Sequence, residues 1–470
     1  MAIGRFSLRR PPAEEKGTDR AAALARLAPE PFNGEAAAES IGGDLLTQQR
    51  FLDAKIHLHR KLIDDLNLST IDKIPKKELR AQLHGLVAQY VVGERIALNA
   101  EELEDFVDDI LDEMTGLGPI EPLIKDPTIT DILINTHKQI YVERNGQLEL
   151  TAARFKDEAH LLRIINKIVS TVGRRVDESQ PMADARLLDG SRVNVAIKPI
   201  SVDGPLVSIR KFSKRAYSMD RLVAINSIAL EMAELLIAAV KGRVTILVSG
   251  GTGSGKTTML NALSAYISHR ERLITIEDAA ELQLQQPHVG RLETRPPNVE
   301  GGGEIRQREL LKNALRMRPD RIIIGEVRGA EAFDMLQAMN TGHEGSMTTI
   351  HANSPRDALS RLEQMVGMAG FPMTLTSVRS QMASAITVVM QLQRLSDGKR
   401  RVTSVSEITG MEGDVIQLQE IFKFVRESTS EDGAIHGFYQ ATGVRPKFLG
   451  DLATRGLAVP TSYFDPTKKL

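Results

Sequence analysis

Hydrophobic and polar residues change their rhythm several times along this chain, and each change marks a boundary. Residues 1–48 show no sustained period. Ala, Pro, Glu and Gly dominate there, and such a stretch buries too little apolar surface to offset its ordering entropy, so it reads as a disordered tail or tether. From Phe51 the pattern becomes helical, with Leu52, Ile56, Leu58, Leu62, Ile63 and Leu66 at helical spacing. Beyond Pro75 a second helix carries Leu79, Leu83, Leu86, Val87 and Tyr90 on one side. An acidic third runs from Glu101 to Met114 and stops at Gly116. Residues 49–116 are therefore expected to form a small three-helix bundle.

Gly118-Pro119 opens a different texture. Asp131–Asn135 and Gln139–Arg144 read as short strands, and Asn145-Gly146 reads as a hairpin turn before Gln147–Leu150. A helix with Leu161, Leu162, Ile164, Ile165, Ile168, Val169 and Val172 on its apolar side ends at Gly173. Arg192–Ile197 alternates as RVNVAI, and Leu206–Phe212 reads LVSIRKF. This predicts an α+β domain over 117–212 and a polar linker over 213–226. From 227 to 426 strands and helices alternate, which predicts a parallel sheet with helices on its faces. Its strands are Val244–Val248, Leu273–Ile276, Arg321–Ile324 and Met347–Ile350. That rhythm fades over 427–470, where a small appendage is expected.

Composition narrows the functions. In 470 residues, 60 Lys and Arg face 61 Asp and Glu, a net charge of −1. This balance argues against a chain whose main task is to coat nucleic acid. Aromatics are 4% with no tryptophan, which leaves little material for base stacking. There is no cysteine, so disulfides, zinc-thiolate sites and cysteine nucleophiles are excluded. No apolar run reaches the roughly 20 residues of a membrane span, and the basic N-terminus lacks the apolar core of a secretory signal. The chain reads as cytosolic.

The strongest chemical signal is Gly250–Thr257, GGTGSGKT. It fits G-x-x-x-x-G-K-[ST] and lies between a predicted strand and a predicted helix, the context of a phosphate-binding loop. Glycines let backbone N–H groups wrap a phosphate with no Cβ in the way, and the helix N-terminus adds partial positive charge. Gly251, Thr252, Gly253, Ser254, Gly255, Lys256, Thr257 and Thr258 are the nucleotide-binding candidates. Lys256 is expected on the β/γ-phosphates and Thr257 on Mg²⁺.

Carboxylates decide hydrolysis. Arg321–Glu326, RIIIGE, delivers Glu326 to the strand end, where it can activate water, hold Mg²⁺ through water, or cap the next helix. Glu277 and Asp278 end the strand TIED. They can bind metal and polarise water, or Asp278 can cap a helix with Glu281. His351 follows the strand before a Ser-Pro helix start, and His343 sits in a Gly-flanked loop ahead of that strand. His343 can sense the γ-phosphate, contact the next subunit or serve structure, and His351 can lie near the phosphates or serve structure. Among the middle-domain arginines, Arg210 is the first candidate for charge on the γ-phosphate and Arg192 the second.

GGTGSGKT, TIEDAAEL, RPDRIIIGEVRG and TGHEGSMTTIHANS, in that order, resemble the Walker A, Asp, Walker B and His boxes of the type II/type IV secretion ATPase superfamily. The run Gly173–Asn194 also resembles that superfamily, and the early helical bundle with the form IEDAAELQL makes the chain most similar to the CpaF-type ATPase of the Tad pilus. The resemblance covers about Asp112 to Phe424. It implies a RecA-like ATPase domain behind an α+β N-terminal domain, assembled as a homohexamer that binds ATP and Mg²⁺. It implies a motor at the cytoplasmic side of the inner membrane, working on a polytopic platform protein and other pilus assembly components. It also implies roles for Lys256, Thr257, Glu277, Asp278, Glu326, His343 and His351 by position, and without cysteines no zinc site is expected. The rivals are a RecA-like nucleic-acid translocase, against which the charge and aromatic content count, and an ATP-gated scaffold.

Overall fold

The computed structural model describes residues 76–93, 99–144, 146–212, 217–297, 302–430 and 433–470, in two compact units, Met1–Gly118 and Pro119–Leu470. The expected tail (1–48), the first helix of the bundle, Asn145 of the hairpin turn and residues 213–216 of the linker lie outside the described residues. In the first unit, α1 (Lys76–Gly93) and α2 (Ala100–Thr115) interdigitate Leu79, Leu83 and Val87 with Phe106, Val107 and Ile110. Asn99 caps α2: its side chain accepts the Glu102 N–H at 2.8 Å, and Glu102 returns the bond to the Asn99 N–H at 2.7 Å.

The second unit holds two sheets. The smaller comprises β1 (Ile129–Thr136), β2 (Gln139–Arg144), β3 (Gln147–Leu150), β4 (Met182–Arg186), β5 (Arg192–Ala196) and β6 (Leu206–Arg210), ordered β3-β2-β1-β6-β5-β4 and antiparallel throughout. Two helices accompany it, α3 (Glu121–Lys125) and α4 (Glu158–Thr171). Leu161, Ile164, Ile165, Ile168 and Val169 form the buried side of α4, as their spacing predicts. β4, whose MADAR sequence alternates weakly, is an addition to the strands read from the sequence.

The linker region contains α5 (Met219–Ala224), and α6 (Leu230–Lys241) follows. The larger sheet has nine strands: β7 (Ile246–Gly250), β8 (Leu273–Glu277), β9 (Val289–Glu293), β10 (Arg321–Val327), β11 (Met347–Ile350), β12 (Val388–Arg394), β13 (Arg400–Glu412), β14 (Val415–Thr429) and β15 (Ile435–Ala441). Their order is β15-β14-β13-β12-β7-β11-β10-β8-β9. From β12 to β9 all neighbours are parallel, and β12 to β15 form an antiparallel meander. The helices α7 (Lys256–Ser264), α8 (Gln307–Ala314), α9 (Glu331–Asn340), α10 (Pro355–Gly367) and α11 (Leu375–Ala385) complete the strand–helix alternation. α6 and α7 bury one face of the sheet, and α8 to α11 the other. That explains the near-continuous apolar runs of its strands.

The expected appendage over 427–470 is continuous with this sheet. β14 crosses the expected boundary, β15 pairs with it, and Phe448, Leu452 and Phe464 join the core beside α6. Alternation with exposed polar residues, as in β14, disguised these strands in the sequence. Leu452 belongs to a last helix, α12 (Leu449–Thr454), and a Cβ at Gly242 would stand 2.1 Å from its side chain. Among the described residues no helix is long and apolar enough to cross a membrane.

At the amino edge of the large sheet, Arg321 is fully buried. It donates to both Glu271 oxygens, at 2.7 and 2.9 Å, and to the Val240 carbonyl at 2.8 Å. This fork joins the start of β10, the turn before β8 and the end of α6. Arg321→Met should leave the buried Glu271 with only the exposed-side Arg243, 3.2 Å away, and cost about 3 kcal/mol, read as a lowered urea midpoint.

Candidate active site

Parallel pairing decides what meets at the carboxyl edge of the large sheet. Ile350 of β11 stands opposite Ser249 of β7, while Ile324 of β10 stands opposite Thr348 of β11 and Ile276 of β8. The residues just past these positions are Gly250 and its loop, His351, Gly325-Glu326 and Glu277-Asp278. Four sequence segments thus converge where ligands of parallel α/β sheets gather.

The loop needs its glycines. Gly253 and Gly255 have φ of +67° and +97°, and a Cβ on Gly250 would lie 2.4 Å from the Ser254 hydroxyl and 2.7 Å from the Leu392 carbonyl. The loop opens directly into α7. Lys256 donates to the carbonyls of Gly250 and Gly251 at 2.9 and 3.0 Å. Burial pulls the lysine below its ordinary pKa; Glu326 opposes this, while Arg210, Arg328 and Arg361 add to it.

Glu277 ends β8, 3% exposed. Its Oε2 accepts the N–H groups of Glu281 and Leu282 at 2.7 and 2.9 Å, whereas Oε1 is buried with no hydrogen-bond partner. Burial pushes its pKa up to about 7 against those two hydrogen bonds. Gly325 is what lets Glu277 sit there, since a Cβ on Gly325 would stand 2.9 Å from the Glu277 Cγ. Arg328 links Glu326 (2.7 Å) to Asp278 (3.3 Å), and Gln307 donates to Asp278 at 2.8 Å. A cavity of about 50 Å³ between Thr257, Glu277, Asp278, Gly325, Glu326 and Arg328 is also lined by Arg192 of the small sheet.

Neither capping alternative is realised. No helix begins at Asp278, and the N–H groups of Arg328 and Gly329 at the start of α9 bond to Glu331, not to Glu326. His351 lies at the edge, held below its ordinary pKa by burial first and by Lys256 second. His343 is elsewhere. It precedes β11 by four residues, at the amino edge of a parallel sheet, and its Nδ1 contacts the Ala338 carbonyl at 3.2 Å. It is not part of the carboxyl-edge cluster.

The small sheet contributes a row of arginines. Arg186, Arg192 and Arg210 are direct cross-strand neighbours on β4, β5 and β6. Like charges so placed repel, and two of them face carboxylates on β9 and the loop after β8. Arg186 bonds Glu293 at 2.9 Å and the Ala280 carbonyl at 3.1 Å, and Arg192 bonds Glu281 at 3.0 Å. Arg210, exposed near Lys256, has no ion pair among the described residues. Arg186 is one of the middle-domain arginines the sequence offers, behind Arg210 and Arg192, whereas Arg328 and Arg361 escaped sequence reasoning. Only Arg328 carried a signal, two residues beyond Glu326 on the same strand edge.

A family model described as type II/IV secretion system protein matches residues 113–444. A putative conjugal transfer protein of Mycobacterium tuberculosis is 36% identical over 330 residues, which is 69% of this chain and 93% of that one. The type IV secretion system protein VirB11 of Bartonella quintana is 31% identical over 335 residues, covering 62% and 92%. Among solved structures, the VirB11 ATPase of Brucella suis is 28% identical and covers 62% of this chain and 95% of that chain, with a TM-score of 0.34. The pilus retraction motor PilT bound to ADP is 21% identical and covers 61% and 80%, with a TM-score of 0.46.

Glu277 binds its proton more tightly in the fold than in the unfolded chain, so the fold loses stability as pH rises from about 4.5 to about 7, and no more above that. Glu277→Gln cannot ionise. Its stability relative to wild type should improve between pH 5 and pH 8, by up to about 3 kcal/mol in urea melts at each pH. A difference that stays flat across this range would show that Glu277 does not titrate there.

Proposed function

The chain belongs to the type II/IV secretion system protein family, whose members are ATPases, and from that premise we propose that it is a homohexameric motor driving pilus assembly. In this reading it works at the cytoplasmic face of the inner membrane on a polytopic platform protein with other pilus components, as the CpaF-type ATPase of the Tad pilus does. It extends the pilus and can also retract it. The observation that carries the proposal is the seam between the two sheets. The small sheet's arginine row meets the carboxyl edge of the P-loop sheet, so a nucleotide bound there touches two bodies, and its hydrolysis changes what holds them together.

The residues present fit ATP with Mg²⁺. The glycine cradle and the α7 N-terminus suit phosphates. The Thr257 hydroxyl, Glu326 and the unpartnered Glu277 Oε1 form an oxygen donor set of the kind Mg²⁺ takes. Mg²⁺ there would neutralise charge developing on the phosphates. Lys256 holds the β/γ-phosphates, and residues 251–258 wrap the remainder. Glu326 orients and activates water, with Arg328 holding its carboxylate in place. Glu277 and Asp278 complete the acidic wall, and a neutral His351 reads the phosphate end. Arg210, which has no ion pair among the described residues, supplies positive charge to the transferring phosphoryl group, with Arg192 its cross-strand neighbour.

The test is ATP turnover across size-exclusion fractions, for wild type and Glu326→Gln, with and without DNA. Turnover should sit in a hexamer-sized fraction, ignore DNA and fall by roughly 10²–10⁴-fold in the variant. DNA-driven turnover would transfer the assignment to a nucleic-acid translocase, a variant as active as wild type would remove Glu326 from the chemistry, and a wild type that binds ATP with scarcely any turnover would leave a nucleotide-gated scaffold.

A further inference from the structure

A second pair of arginines touches the phosphate loop from its outer side. Arg394 ends β12 and Arg400 begins β13, directly opposite one another across a tight turn. The turn is locked: the Asp397 carboxylate accepts the Lys399 N–H at 3.0 Å and the Ile435 N–H at 3.2 Å, which ties it to β15. From this rigid support the Arg400 Nε donates to the Gly253 carbonyl at 2.8 Å. Gly253 is one of the two left-handed residues of the loop, and a Cβ on the other, Gly255, would lie 3.6 Å from the Arg400 Cδ.

The same arginines reach the small sheet. One oxygen of Glu143, on β2, lies 3.9 Å from Arg394 and 3.9 Å from Arg400, and Arg394 also donates to the Gly146 carbonyl at the β2–β3 turn. Two guanidinium groups set face to face repel unless an anion stands between them, and Glu143 is that anion. Beside Arg394 a cavity of about 250 Å³ opens against Gly251, Thr252 and Ser254, leaving the loop room to move there. Arg400 therefore has one hydrogen bond to the nucleotide loop and one charge contact to another sheet. None of the phosphate-edge carboxylates or arginines described above takes part.

We propose that Arg400, steadied by Glu143, is a positioning residue for the phosphate loop, and that the Glu143–Arg394–Arg400 cluster carries the loop's nucleotide state to the β2–β3 hairpin. The proposal rests on the nucleotide-site reading of Gly250–Thr257. It concerns neither the water-activating carboxylates nor the arginine row. Its physical content is that Gly253 cannot shift its carbonyl without moving Arg400, and that Arg400 cannot move without disturbing the charge balance at Glu143. A charge-assisted hydrogen bond to the loop is worth roughly a ten-fold change in nucleotide affinity.

The experiment combines ATP kinetics with hydrogen exchange on the full chain. Arg400→Met should raise KM for ATP about ten-fold while kcat changes far less, and Arg400→Lys should recover only part of the loss. Glu143→Gln should raise KM modestly, and the double variant should be no worse than Arg400→Met alone, because both substitutions cut one chain of contacts. In wild type, a non-hydrolysable ATP analogue should slow exchange in both the loop and the β2–β3 hairpin. In Glu143→Gln it should slow exchange in the loop only. An unchanged KM in Arg400→Met, multiplied KM effects in the double variant, or a hairpin response that survives Glu143→Gln or is absent from wild type would overturn the proposal. The wild-type loop separates the two layers: if the analogue leaves exchange in residues 250–257 unchanged, the nucleotide-site reading fails, whereas a loop that responds while the hairpin does not overturns the present proposal alone.

Discussion

The parallel register of β8, β10, β11 and β7 is the constraint on which the rest of the molecule depends. Each strand is a short apolar run buried on both faces, so its ends can lie only at the two edges of the sheet. Because all four point the same way, every residue that follows one of them is delivered to a single edge. The phosphate loop, the Glu277 carboxyl, Glu326 and His351 owe their proximity to that geometry. The amino edge shows the converse, since His343 and the buried Arg321–Glu271 fork both lie there, away from the nucleotide residues.

Electrostatics then explains why the small sheet belongs beside this edge. Three cross-strand arginines are unfavourable neighbours in isolation, and two of them are neutralised by Glu281 and Glu293 from the large sheet. The third, Arg210, has no ion pair among the described residues, and its charge acts on Lys256. On the other flank the polarity is reversed: one small-sheet carboxylate, Glu143, satisfies two large-sheet arginines. Among the described residues, the two sheets thus meet through polar contacts on both flanks.

Acid–base character at the site follows from burial more than from charge. Glu277 is raised because its carboxyl is taken out of water, even with two backbone N–H groups on one oxygen. His351 is lowered by the same desolvation and by Lys256. Around neutral pH the edge therefore combines a carboxyl near its midpoint, a neutral imidazole and a cationic loop.

Much of this was readable in the chain. Glycine spacing, the strand before it and the helix after it identify the loop, because only that combination of backbone freedom and helix dipole cradles phosphate. Apolar runs and their order identify the parallel sheet, because period and length are local properties. What tertiary structure alone decided is which distant residues share a surface. That Arg328 would bridge Glu326 and Asp278, that Gly325 would clear space for Glu277, and that Arg394 and Arg400 would meet Glu143 depends on strand order and sheet placement. Neither leaves a period in the sequence. The last strands, β14 and β15, were hidden for a related reason: their exposed faces are polar, so their membership of the sheet is written in pairing partners and not in hydropathy. A chain records its local preferences directly, and it records its long-range contacts only through the fold they build.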